Sequence, residues 1–178
     1  MITLIKTERL VLRGHSLRDF EALHAMWCEP AVYRHITGRP STREEAWSRL
    51  LRYLGHWALL GFGYWVLEEL STGTFMGEMG FADYQRDIEP SFDGRPELGW
   101  VLTTAAQGKG YATEALMAIT SWGDAHFGGK ETACMIAPEN AASIRVAGKI
   151  GFLKKLETTY KGEPTLVFYR SSPLHGRA

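Results

Sequence analysis

With 178 residues, 45% of them hydrophobic, the chain has enough apolar side chains for one domain with a sizeable core and too few residues for two. Twenty basic and twenty acidic residues cancel, so no global field draws the protein toward nucleic acid or an anionic membrane. Cys28 and Cys134 lie far apart without metal-ligand spacing, which suits two free thiols, no bound metal and a reducing compartment. The opening MITLIKTERL lacks the apolar core of a signal peptide, and no apolar run approaches the roughly 18 residues of a membrane span. The expected location is cytoplasmic.

In chain order, RLVLRGH (9 to 15) alternates around Leu10 and Leu12 and predicts a first strand. Ser16 with Asp19 three residues on resembles a helix start, and Phe20, Leu23, His24 and Trp27 recur at helical spacing until Pro30 stops the run. Ser41 or Thr42 with Glu44 and Glu45 opens a second helix striped by Trp47, Leu50, Leu51 and Leu54, ending near Gly61 or Gly63. GYWVLEEL and TFMGEMGFADY flank a Ser71-Thr72-Gly73 turn as a hairpin, with Gly77 and Gly80 marking a bulge or a close backbone approach. Residues 84 to 95 carry charge, Pro and Gly without a period and read as a long loop.

PELGWVLTT (96 to 104) is the next strand, and from Tyr111 the positions Ala112, Ala115, Leu116, Ile119 and Trp122 trace one helix face up to Gly128-Gly129. ETACMIA (131 to 137) reads as a strand buried on both faces. Asn140, the only asparagine, caps a second well-punctuated helix that Gly151 ends. FLKKLETTY and PTLVFYRSS close the chain as a hairpin. The order describes a mixed α/β sheet with helices packed on it.

Between the 96–104 strand and the helix at Tyr111 stands QGKGYAT (107 to 113). A helix N-terminus offers unpartnered N–H groups and partial positive charge, and glycine lets a phosphate approach without a Cβ in the way. Lys109 adds a cation, and no acidic residue stands between Val101 and Thr113. A Walker-type loop is excluded because Gly110, not Ser or Thr, follows Lys109. A dinucleotide fingerprint wants a third glycine where Thr113 stands and an earlier place in the chain. The alternative of a plain strand-to-helix turn stays open on these residues.

Gln107-Gly108-Lys109-Gly110-Tyr111-Ala112 resembles the Q-x-x-G-x-A/G pyrophosphate loop of the GNAT (GCN5-related) N-acetyltransferases. Thr7 to Arg13, Glu97-Leu98-Gly99-Trp100, Asn140 to Ser143 and Gly151-Phe152 resemble, in order, further motifs of that family's RimJ/RimL-like branch. The resemblance implies a mostly antiparallel twisted sheet of about seven strands, splayed between two central parallel strands and flanked by about four helices. It implies acetyl-CoA as cosubstrate, its pantetheine arm paired to the backbone of Trp100, Val101 and Leu102 as a further strand would be. The amides of Gly108 to Thr113 would hold the diphosphate, and Asn140 would touch the pantetheine side as well as capping its helix.

Acetyl transfer to an amine needs a neutral nucleophile, a polarised thioester and a proton for the departing thiolate, without a covalent enzyme intermediate. By the same resemblance Glu97 is the candidate base, directly or through water, against a structural hydrogen-bonding role. Many relatives place an acidic tyrosine four residues before the final Gly-Phe, where Ala147 stands here; the resemblance to RimL-like relatives makes Ser143 the candidate at the thiol, against local bonding to backbone, with Tyr160 and Glu163 as weaker candidates and departure without a dedicated acid also open. Cys134, mid-strand among apolar neighbours, reads as core. An α-amine, with a reference pKa of about 8 against about 10.4 for lysine, suits such a weakly equipped site. The expected acceptor is a protein N-terminus or a small-molecule amine, and the resemblance allows a homodimer. The rivals are a non-catalytic acyl-CoA-binding module of the same fold and a nucleotide-binding domain.

Overall fold

The computed structural model describes residues 2–92 and 94–173, so position 93 of the long loop lies outside the described residues. Eight strands form one sheet: β1 (Ile5–Lys6), β2 (Leu10–Arg13), β3 (Tyr64–Glu69), β4 (Phe75–Ala82), β5 (Glu97–Leu102), β6 (Thr132–Ile136), β7 (Leu153–Tyr160) and β8 (Glu163–Arg170). Five α-helices accompany them: α1 (Phe20–Trp27), α2 (Pro30–Tyr33), α3 (Arg43–Leu60), α4 (Tyr111–His126) and α5 (Ala141–Lys149). The spatial order is β1-β2-β3-β4-β5-β6-β8-β7, antiparallel throughout except for the central β5–β6 pair.

Two layers of helix sandwich the sheet. On one face Leu23, Met26 and Trp27 of α1 and Leu50 and Tyr53 of α3 pack on Tyr64, Ala82 and Val101. On the other, Leu116 and Ile119 of α4 pack with Phe81, Leu98, Phe152 and Phe168, and Cys134 belongs to this core at 1% exposure. Among the described residues both cysteines are free thiols, and no helix is long and apolar enough to cross a membrane.

The punctuation residues act where the pattern puts them. Thr42 and Glu45 close a capping box on α3, and Gly61 ends it in the left-handed region at φ 76°. The Ser16–Asp19 box is also present, but it opens a single 3-10 turn ahead of α1. Gly77 and Gly80 both mark close backbone approaches, and Gly77 also adjoins a bulge. A Cβ on Gly77 would strike the Val101 carbonyl and one on Gly80 the Gly63 carbonyl, and Met76 is the extra residue of a bulge between Leu67↔Gly77 and Glu68↔Phe75. Two elements exceed the expected count. β1 is two residues long, below any period, and Pro30 does not just end a helix but opens the next, at the first helical position where a missing N–H costs nothing.

β4 carries a carboxylate into the α1/α3 core. Glu78 is 0% exposed; its Oε1 accepts from Trp27 Nε1 (2.8 Å) and Tyr53 Oη (2.7 Å), and Oε2 lies 3.4 Å from His15 Nε2. One side chain thus joins α1, α3 and the segment after β2 to the sheet, all three donors being buried with it. Glu78→Ala, which orphans these donors, is expected to lower unfolding free energy by roughly 3–5 kcal/mol in urea titration. Glu78→Gln, which keeps a carbonyl acceptor, should cost clearly less.

Candidate active site

β5 and β6 share one register pair, Glu97↔Ala133, and then diverge. Across the other edge β5 is paired with β4 from Glu97 to Leu102. The β6-facing backbone of Gly99 to Leu102 therefore has no sheet partner, and a cleft of ≈360 Å³ opens there, lined by Trp100, Val101 and Leu102 on one side and Asn140 and Ser143 on the other. The cleft continues to Gln107, Gly108 and Ala112.

The chain leaves β5 through a 3-10 turn (Thr104–Ala106), and Gln107 Nε2 donates to the Leu102 carbonyl (3.1 Å), closing the turn on the strand end. Gly108 and Gly110 then adopt φ 75° and 82°, and a Cβ on Gly108 would meet nothing within 4 Å, so the space above this loop is open. α4 starts without a side-chain cap, which leaves its leading amides for a ligand. The loop is braced from behind. Glu114 in the first turn of α4 accepts from Thr7 Oγ1 (2.6 Å), Arg9 N (2.9 Å) and Arg9 Nε (2.7 Å), while Arg9 Nη1 donates to the Lys109 carbonyl (3.0 Å). Burial pushes the Glu114 carboxyl up, but the bonds from Thr7 and Arg9 bring it below the usual carboxylate range. The brace is therefore intact at neutral pH and is lost only as pH falls through that lowered value. Tyr111 Oη turns away to Glu69 (3.0 Å), and neither Lys109 nor Thr113 lines the cleft.

The candidate catalytic side chains occupy different surroundings. Ser143 lines the cleft, its N–H held by the Asn140 cap (3.1 Å) and its hydroxyl without a partner among the described residues. Glu97 lies at the foot of the divergence, 5% exposed, with both carboxylate oxygens taken by Arg86 Nε (2.5 Å) and Nη2 (2.7 Å). Arg86 also donates to Tyr160 Oη (3.0 Å) and lies over the Tyr84 ring at 4.6 Å. Glu97 and Arg86 line a second, ≈140 Å³ pocket with Asp83, Tyr84 and Arg95, beneath the 84 to 95 loop. Sequence reasoning did not find Arg86, because its partner lies eleven residues away across an aperiodic loop. It also missed Tyr64, whose hydroxyl sits on Gly99 where a Cβ would be and whose ring stacks on Tyr53 at 4.5 Å.

The gap beside β5 and the glycine-led head of α4 thus meet in one continuous cleft. Residues 9–153 match the family profile described as Acetyltransferase (GNAT) domain. The chain belongs to the GNAT acetyltransferase family. It is accordingly an acyltransferase, with acetyl-CoA as cosubstrate. Among similar proteins, YkkB of Bacillus subtilis is 30% identical over 176 residues, covering 96% of each chain. A solved structure described as a GnaT-family acetyltransferase from Bordetella pertussis is 31% identical with TM-score 0.83, over 95% of this chain and 99% of that one. The RimL ribosomal L7/L12 α-N-protein acetyltransferase in complex with coenzyme A shares the fold (TM-score 0.76, 95% and 98% covered) at 16% identity. The eight-stranded sheet with its one parallel pair is the fold of these GNAT structures.

The Gly99–Tyr64 contact is testable by a double-mutant cycle. Gly99→Ala drives a methyl into the hydroxyl and should destabilise by about 1–3 kcal/mol, the cost of overpacking. Adding Tyr64→Phe should recover part of that loss in denaturant titration, leaving the double variant more stable than Gly99→Ala alone.

Proposed function

We propose that this GNAT protein is an N-acetyltransferase of the RimJ/RimL-like branch that moves acetyl from acetyl-CoA to a primary amine by direct attack in a ternary complex. The acceptor is a protein N-terminal α-amine or a small-molecule amine. The observation that carries the reading is the single-pair contact between β5 and β6, which leaves strand backbone free beside an uncapped, glycine-led helix. In this reading the backbone of Trp100, Val101 and Leu102 pairs the pantetheine arm, and the amides of Gly108, Lys109, Gly110, Tyr111, Ala112 and Thr113 hold the diphosphate. Gln107 shapes the loop, and Asn140 caps α5 at the pantetheine side.

Glu97 receives the amine's proton through a water. Each carboxylate oxygen keeps a lone pair beyond its bond to Arg86, and one of them accepts from that water. An α-amine, with a reference pKa of about 8 against about 10.4 for lysine, needs less help to become the neutral nucleophile. The Ser143 hydroxyl, unengaged in the cleft, protonates or solvates the departing thiolate.

Acetyl-CoA at a hundred times its Kd should stabilise the protein by about 2.7 kcal/mol, read as a rise in melting temperature, with ATP and NAD giving none. On an amine found by thiol-release screening, Glu97→Gln and Ser143→Ala should each lower kcat by about tenfold to a hundredfold at unchanged acetyl-CoA affinity. Full activity in both variants would remove these roles, and no acetylation of any amine by a chain that binds CoA would favour a binding module.

A further inference from the structure

The phosphate loop lacks the cation its sequence advertises. Lys109 does not line the cleft, and its carbonyl is taken by Arg9 from behind. The opposite wall is supplied by the short helix α2, which nothing so far assigns to the cofactor. Glu29, the residue before α2, accepts the backbone N–H of Thr104 through Oε2 (2.6 Å), tying this helix to the turn that leads into the phosphate loop. Val32, one turn on, packs in the same cluster as Val101 of β5. At the other end of α2, Arg34 lines the cleft together with Gln107 and Gly108.

Arg34 is also uncompensated. Among the described residues, the other arginines are paired to carboxylates or lie over aromatic rings, apart from Arg145 on the exposed side of α5. The acidic side chain lining the cleft is Glu139 alone. A guanidinium that lines the same cleft as an open, glycine-floored loop, without a carboxylate or ring partner among the described residues, matches the oxygens of a diphosphate.

We infer that Arg34 is the diphosphate-binding cation of this enzyme, closing on the cofactor from α2 while the α4 amides hold it from below. The inference rests on the acetyl-CoA reading of the cleft. It makes α2, and the Glu29–Thr104 bond that positions it, part of the cofactor site.

The test is the affinity of wild type, Arg34→Ala and Arg34→Lys for CoA, 3′-dephospho-CoA and pantetheine, by calorimetry or NMR titration, with circular dichroism confirming the fold. Arg34→Ala should weaken CoA and dephospho-CoA alike by about tenfold to a hundredfold, the range of a charge-assisted hydrogen bond, and leave pantetheine unchanged. Arg34→Lys, which keeps charge without the fork, should fall between. Equal CoA affinity in wild type and Arg34→Ala overturns the inference, as does a loss seen with CoA but not dephospho-CoA, which would move Arg34 to the 3′-phosphate. A loss that extends equally to pantetheine overturns it too, by making the effect one of cleft shape. Wild type that binds none of the three ligands would instead sink the cofactor reading itself.

Discussion

The structure turns on a strand that is paired along one edge and abandoned on the other. β5 is bonded to β4 over its whole length but touches β6 at one position, Glu97↔Ala133. Peptide groups in the middle of a sheet are normally all satisfied, and leaving several open beside a mostly apolar wall is tolerable only where a ligand or water completes them. The opening offers an unpaired main-chain edge, the kind of edge to which an extended chain adds as a further strand.

What keeps the gap open is distributed over the rest of the fold. On the α1/α3 face, Tyr64 lies on Gly99 and Tyr53 on Tyr64, and Glu78 draws Trp27 and Tyr53 down onto β4. On the loop side, Thr7 and Arg9, between β1 and β2, donate to Glu114 and tie this turn to the head of α4. On the far side Arg170 fixes Asp124 of α4 with a two-point bond (2.6 and 2.8 Å). Much of the positive charge of the formally neutral chain is thus paired with its own carboxylates, as at Arg9, Arg13, Arg86 and Arg170.

Much of this was legible in the residues, for identifiable reasons. Helices α3 and α5 announce themselves through Thr42/Glu45 and Asn140, and the β3–β4 hairpin through its turn, because these signals are local. The glycine-led turn into α4 was legible because its signals are local, although its residues alone left a plain strand-to-helix turn open. The chemistry around Glu97 was not. Its hydrogen-bond partner is Arg86, delivered by a loop without periodicity, and no spacing rule connects them. Glu78 was overlooked because a carboxylate in an apolar strand reads as a solvent-facing residue until α1 and α3 are placed over it. α2 was hidden by Pro30, a residue that both stops and starts helices.

The most direct test is amide hydrogen exchange at residues 99–102 and 108–113, with and without coenzyme A. These two stretches should gain protection together, with little change in the β7–β8 hairpin. Unchanged exchange at both stretches in the presence of saturating ligand would contradict the cofactor reading of the cleft.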